Sequence, residues 1–158
     1  MTDARWLEIE RDLNAGIGHL GEAADGFDSL DLEGTDRRAY FDRMGFMHAL
    51  LAGYSSIENA LKRILDVLGE AQPTGSDWHR DLLRRLCQRG PGRPAVFSPE
   101  LCEHLHTLRR FRHVAMHAYD DFRRDKAWNT VEAARAVVPA LLLEFDAFKR
   151  AIDPPEDR

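Results

Sequence analysis

Residues 109–119 bring three arginines, two histidines and a tyrosine close together in the chain. RNA is cleaved by its own 2′-hydroxyl when one group accepts the 2′ proton, another protonates the leaving 5′-oxygen, and a cation stabilises the phosphate. Imidazole titrates near neutral pH, so His117 can serve as acid or base and His113 can orient the other groups. The Arg112 guanidinium stays charged and matches phosphate oxygens. These residue types predict metal-independent RNA cleavage, with Tyr119 positioning a phosphate or carrying a modification.

The spacing of Arg112 and His117 limits how they can cooperate. Two positions five residues apart on an ideal helix differ by about 140° of rotation and about 7.5 Å along the axis. The two side chains therefore do not share a face of one helix. Either the helix unwinds near its end, or the long arginine side chain curls round, or a second copy of the chain completes the site.

Two other interpretations of the histidines stay open. His113 and His117 are four residues apart, a spacing that suits zinc, and His104 and His106 lie earlier on the same predicted helix. No glutamate lies between the pair and no third ligand is obvious, so we predict no metal, and we interpret His104 and His106 as surface residues. The histidines can also cap the backbone carbonyls at a helix end.

Basic residues are concentrated in residues 78–113, the arginine-rich segment. It has eight arginines and three acidic residues, while the remaining residues have 14 basic and 24 acidic side chains, within a net charge of −5. A local basic strip on an acidic body suits a phosphate site, and we expect Arg93, Arg109 and Arg110 to contact RNA. Alternatively, the arginines solvate helix faces or pair with distant acids. The eight are Arg80, Arg84, Arg85, Arg89, Arg93, Arg109, Arg110 and Arg112.

The composition of the 158 residues is that of an ordinary globular domain, with 44% hydrophobic and 31% charged residues. We predict one domain over residues 1–153 and a short polar tail over 154–158. No run is long enough for a membrane span and the first ten residues do not form a signal peptide, so we expect a cytoplasmic protein without membrane contacts. Cys87 and Cys102 lack a Cys-x-x-Cys spacing, and we predict two buried reduced thiols.

Apolar residues recur every three or four positions along most of the chain, and no alternating strand pattern occurs. This periodicity predicts an all-α protein, an up-and-down bundle of four to five helices. Thr35, Ser76, Ser98 and Asn129 are the predicted caps, and Gly69 is the predicted stop of the longest helix. The predicted helices span residues 6–24, 35–69 and 77–88, then run from 98 through the motif and from 129 to 152.

The motif Arg112-His113-x-x-x-His117-x-Tyr119 resembles the Arg-polar-x-x-x-His-x-Tyr signature of HEPN ribonucleases, specifically of HepT-type toxins. The segment Trp78-His79-Arg80-Asp81-Leu82-Leu83 and the order of helices are similar to HepT-like proteins over roughly residues 5–150. His79 lies either near the cleft, as this resemblance implies, or in an ordinary packing position at a helix start.

The resemblance implies a function as well as a fold. It implies a homodimeric endoribonuclease toxin with its cleft between two protomers. Arg112 would hold the phosphate, and His113 and His117 would be catalytic. It also implies a partner, a minimal nucleotidyltransferase antitoxin that attaches AMP to Tyr119. No glycine-rich phosphate loop is present, so we predict no nucleotide cofactor.

The alternative to a nuclease is a non-catalytic helical module that binds a nucleotidyltransferase or another protein. Its basic strip would then be a docking surface, since a helical bundle alone does not determine activity. Loss of cellular toxicity in variants of Arg112 and His117 would favour the enzyme.

Overall fold

The protein is described here from a computed structural model, covering residues 3–117 and 122–155. These residues form five helices, which confirms the predicted all-α bundle. None of the described helices has the length and apolar character needed to cross a membrane. The helices are α1 (Ala4–Gly26), α2 (Arg37–Leu68), α3 (Trp78–Leu86), α4 (Pro99–His117) and α5 (Arg124–Ile152).

Four long helices surround one core. Helix α2 packs against α1 and α4, and α5 packs against the same two helices from the other side. The short helix α3 lies against α2 and α4, which places its first residues beside the motif helix. The core is formed by apolar residues at helical spacing, among them Trp6, Leu13, Leu20, Tyr54, Leu61, Leu105, Val131, Leu141 and Phe145.

Two glycines allow α1 and α2 to approach closely. A side-chain carbon added at Gly16 would lie 2.7 Å from Ile57 and 2.9 Å from the carbonyl oxygen of Gly53. A carbon at Gly53 would lie 2.8 Å from Leu20. Gly16 therefore serves the helix contact, although its intrinsic helix propensity is low.

Most helix boundaries follow local capping chemistry. The Ser98 hydroxyl accepts a hydrogen bond from the Leu101 amide at 3.2 Å, which confirms the predicted cap of α4. Gly69 ends α2 in the left-handed conformation, with φ of 69°, as predicted. The cap of α2 is Asp36, one residue after the predicted Thr35, and its carboxylate accepts from the Ala39 amide at 2.8 Å.

The start of α5 is where the boundary prediction was wrong. The helix begins at Arg124, five residues before the predicted Asn129, and no side chain caps it. Instead, the Arg124 guanidinium donates to the backbone carbonyls of Phe27 and Leu30, just after α1. The Arg124 amide donates to Glu33 at 3.0 Å. Tertiary contacts from a distant loop therefore fix this helix start.

The prediction of two reduced thiols was also wrong, because Cys87 and Cys102 form a disulfide. Cys87 ends α3 and Cys102 lies in the first turns of α4, with their Cα atoms 6.1 Å apart. The intervening loop folds back so that the Val96 amide donates to the Leu86 carbonyl at 2.8 Å. The bridge therefore ties α3 to α4, the two helices that border the site below.

Candidate functional site

The start of α3 and the second half of α4 border an open cleft of about 750 Å³, here called the arginine cleft. Four arginines and one aspartate line it, so its walls are strongly basic. The structure thus brings together four of the predicted site residues, Arg109, Arg110, Arg112 and His113. The full lining is Ser76, Asp77, His79, Arg80, Arg109, Arg110, Arg112 and His113.

A buried carboxylate lies behind the cleft. The side chain of Glu58, on α2, is 4% exposed. Its Oε2 lies 2.7 Å from Nδ1 of His79, and its Oε1 accepts from Nη1 of Arg112 at 3.2 Å. A buried carboxylate is stable only when it is well paired, and Glu58 meets that condition through these two groups.

The His79 ring is held on several sides. The Trp78 ring stacks on it with a centroid separation of 3.5 Å, and Lys62 Nζ lies 4.3 Å from the centre of the Trp78 ring. Arg112 Nη1 lies 2.8 Å from Nδ1 and 3.3 Å from Nε2 of His79. The imidazole is therefore fixed beside the guanidinium that was predicted to bind phosphate, and it still has 31% of its side chain exposed.

Tyr54 lies one turn before Glu58 on α2 and is fully buried. Burial raises the pKa of its hydroxyl, and the Glu58 charge raises it further, while Arg109 and Arg112 oppose the shift. Among the described residues, neither the Tyr54 hydroxyl nor Nε of Arg112 has a hydrogen-bond partner. Tyr54 therefore remains a neutral phenol behind the cleft.

Arg109 and Arg110 are held by neighbours one turn earlier on α4. Arg109 Nε donates to His106 Nδ1 at 3.3 Å, and Arg110 Nη2 donates to the Thr107 hydroxyl at 3.3 Å. Partial burial, followed by the charges of Arg109 and Arg110, lowers the pKa of His106. His106 thus contacts Arg109 without lining the cleft, and it remains neutral more readily than a free histidine.

Helix α4 continues through the motif to His117. The interpretation in which the helix unwinds between Arg112 and His117 is therefore wrong. The side chain of His117, and Tyr119 as a whole, lie outside the described residues. Arg112 points to Glu58 and His79 of the same chain, and His113 is exposed at the cleft.

Arg93 does not lie in the cleft, contrary to its predicted RNA contact. Its side chain is 3% exposed and forms a two-pronged ion pair with Glu70, at 2.8 and 3.1 Å. The same guanidinium donates to the carbonyls of Arg85, Gln88 and Pro94. Arg93 therefore stabilises the loop between α3 and α4, because its donors are already engaged inside the protein.

The side chains that the structure describes within residues 3–117 and 122–155 do not form a metal site. There, no group of three or more histidine, cysteine, aspartate or glutamate side chains is placed to hold a metal ion. His104 and His106 are half-buried on α4, and neither lines the arginine cleft. The pair of His113 and His117 includes a side chain outside that set.

The sequence interpretation missed Glu58. The signal is a charged residue on an apolar stripe, since position 58 lies one turn after Tyr54 and one turn before Leu61. A glutamate on that face must be buried, and a buried glutamate requires a cationic or hydrogen-bonding partner. For His79, the structure favours the interpretation near the cleft.

Comparison with known proteins gives a match to a protein family. The sequence model of the family described as HepT-like protein matches residues 45–152. That span includes Glu58, α3 and α4, and so contains the whole arginine cleft. No curated protein and no solved structure matches the chain.

Proposed function

This chain belongs to the HepT-like protein family, and from that premise we propose that it is a metal-independent endoribonuclease, the toxin of a HEPN and nucleotidyltransferase toxin–antitoxin pair. The observation that carries the proposal is the placement of Arg112. Its guanidinium lies in a basic cleft, is fixed from behind by a buried carboxylate, and is next to an imidazole. A fixed cation beside a group that transfers protons is what phosphodiester transesterification requires.

The proposed reaction uses the RNA 2′-hydroxyl as nucleophile. The 2′-oxygen attacks phosphorus, the bond from phosphorus to the 5′-oxygen breaks, and the products are a 2′,3′-cyclic phosphate and a 5′-hydroxyl. Arg112 stabilises the charge on the phosphate, and Arg109 and Arg110 bind neighbouring phosphates. His117 acts as general acid or base, and His113 orients one of the reacting groups.

The active form in this proposal is a homodimer. Because α4 stays helical through His117, the positions of Arg112 and His117 diverge by about 140° around one helix. A second copy related by a two-fold axis can bring the two residue types into one site, as an isologous interface places the same patch on both protomers.

The proposed partner is a minimal nucleotidyltransferase that attaches AMP to Tyr119, two residues beyond His117. The added phosphodiester brings negative charge and bulk to a position seven residues after Arg112 in the chain. Such a group would compete with RNA for Arg112 and block access to it. Mass spectrometry after coexpression tests this part, since a persistently unmodified Tyr119 would contradict it.

The experiment for the nuclease is cleavage of end-labelled RNA in EDTA. Wild-type protein is compared with Arg112→Ala and His117→Ala, each shown by circular dichroism and sedimentation to be folded and dimeric. We expect cyclic-phosphate ends from the wild type alone. Arg93→Ala, if it folds, is a matched arginine control outside the cleft and should still cleave.

Two results would contradict the nuclease. Absence of cleavage by unmodified wild-type protein, or equal cleavage by all variants, would favour the non-catalytic module that binds a nucleotidyltransferase. The arginine cleft would then be a docking surface, and Arg112→Ala would reduce binding of that protein instead of RNA cleavage.

A further inference from the structure

We infer that His79 is a further catalytic residue of the arginine cleft, the general base that accepts the 2′-hydroxyl proton, and that Glu58 is its positioning residue. The inference rests on the proposed nuclease function and goes beyond it, because neither residue belongs to the arginine and histidine motif. It also assigns His117 the remaining role, that of general acid.

The inference assigns one ring nitrogen of His79 to Glu58 and the other to the substrate. Arg112 donates to Oε1 of Glu58, and the oxygens of a carboxylate only accept. Nδ1 of His79 lies 2.7 Å from this carboxylate and 2.8 Å from Nη1 of Arg112. We assign the Nδ1 proton to the contact with the carboxylate, because Nη1 already donates to Oε1 of Glu58. In the neutral ring, Nε2 then carries the lone pair that can accept a proton.

The position of Nε2 suits a base that acts next to the bound phosphate. Nε2 of His79 lies 3.3 Å from Nη1 of Arg112. A phosphate held by this guanidinium would therefore bring the adjoining ribose within reach of the imidazole. The side chain of His79 is 31% exposed and lines the cleft, whereas that of Glu58 is 4% exposed. The histidine can touch substrate, and the glutamate acts through it.

The surroundings of the ring reduce the reorganisation that proton transfer needs. Trp78 stacks on His79, and Glu58 holds Nδ1, so the imidazole keeps one orientation. When Nε2 takes the proton, the Glu58 carboxylate and the phosphate stabilise the positive ring against the charge of Arg112, whose Nη1 lies 2.8 Å from Nδ1. A buried carboxylate that orients an imidazole and stabilises its protonated form is an established arrangement for a histidine base.

The proton balance of the step is complete. The 2′-hydroxyl proton passes to Nε2 of His79 as the oxygen-to-phosphorus bond forms. A second group, His117, gives its proton to the departing 5′-oxygen. After release of the products, His79 loses its proton to solvent and His117 regains one, so that no metal or co-reactant is consumed.

A modified substrate separates loss of the general base from loss of the general acid, and the pH profile and rescue by imidazole separate a base from a purely structural role. A sulfur atom in place of the bridging 5′-oxygen leaves without a proton, so it restores the rate of a variant that lacks the general acid. It does not restore a variant that lacks the base. The test variant is His79→Asn, because its side-chain amide can still donate to Glu58, and His48→Asn on the exposed face of α2 is the control.

With the oxygen substrate, we expect His79→Asn to lose about 100-fold or more in kcat, the usual scale for a lost general base. With the sulfur substrate, the cleavage rate of His117→Ala should recover and that of His79→Asn should not.

The acidic limb of the pH profile of kcat/KM should disappear in His79→Asn. In Glu58→Gln it should move to lower pH, because the amide no longer stabilises the protonated ring.

Free imidazole provides a second measurement if His79→Asn does not fold. Cleavage by His79→Ala should partly recover with added imidazole, and Arg112→Ala should not respond. If the wild type cleaves RNA and His79→Asn cleaves it equally fast, the inference about His79 is overturned and the nuclease proposal stands. Rescue of His79→Asn by the sulfur substrate would have the same meaning. A wild-type protein that does not cleave would overturn the nuclease itself and this inference with it.

Discussion

Glu58 and Arg112 form an ion pair across the interface of α2 and α4, although 54 residues separate them in the chain. The distance from Oε1 to Nη1 is 3.2 Å, and the side chains are 4% and 27% exposed. Glu58 also contacts His79, so one buried carboxylate holds two cleft residues from two other helices. The geometry of the cleft therefore depends on a residue that does not line it.

A double-mutant cycle measures how strongly this pair is coupled. Glu58→Gln and Arg112→Gln should each lower the free energy of unfolding, and the double variant should lose less than the sum. Coupling energies between contacting residues are about 0.5–3 kcal/mol, and we expect this pair to fall within that range. Urea unfolding followed by circular dichroism gives the four values.

The control cycle combines Glu58→Gln with Arg84→Gln, an exposed arginine on α3 outside the cleft. These two changes should add within about 0.5 kcal/mol, as is usual for residues without contact. If the Glu58 and Arg112 cycle is equally additive, the ion pair does not hold the cleft together.

Arg93 and Arg110 belong to the same arginine-rich segment but should respond oppositely to substitution. Arg93→Ala leaves Glu70 and three carbonyls without their cationic donor, and breaking such a buried pair costs about 3–5 kcal/mol. Arg110 is exposed, so Arg110→Ala should change stability by no more than about 0.5 kcal/mol.

RNA binding should show the reverse order. Arg110→Ala should weaken binding and reduce the slope of log K against log salt by about 1, the effect of one lost phosphate contact. Folded Arg93→Ala should keep the wild-type slope. Fluorescence anisotropy with a labelled RNA across salt concentrations measures both, and an equal reduction of the slope in the two variants would contradict the different roles.

The helices could be predicted from sequence because their causes are local. Apolar residues at helical spacing define α1 and α2, and the Ser98 cap and the Gly69 stop act within one turn. The start of α5 could not be predicted in this way, since Arg124 is held by carbonyls about 95 positions earlier in the chain.

The candidate site could be predicted only in part, for the same reason. Arg112 and His113 belong to a contiguous motif, and their types indicate phosphate chemistry. Glu58 acquires its role when α2 packs against α3 and α4, and Arg93 loses its predicted role because Glu70 lies beside it. Partners that fold in from elsewhere decide which charged residues remain available to a ligand.

The disulfide of Cys87 and Cys102 should stabilise the fold by an amount that reduction reveals. The two residues are 15 positions apart, and closing a loop of that length contributes about 3 kcal/mol in the chain-entropy account. Urea unfolding should therefore shift to lower midpoints when a reductant is added. The variant with both Cys87→Ser and Cys102→Ser should have the unfolding midpoint of the reduced protein, with or without reductant. A wild-type midpoint that the reductant does not change would contradict the bridge.

Stability at mildly acidic pH should depend on His106. Burial and the charges of Arg109 and Arg110 lower the pKa of His106 below its ordinary value of 6.5. Below that value the unfolded chain binds a proton at this residue more readily than the folded protein does, so stability is lost as the pH falls through 6.5 and downward. In His106→Gln this contribution is absent, and the free energy of unfolding should fall less steeply between about pH 7 and about pH 5.5. Urea unfolding at several pH values measures the slopes, with His48→Gln on the exposed face of α2 as the matched control. Equal slopes in wild type and His106→Gln would show that burial and the two arginines do not lower the pKa of this histidine.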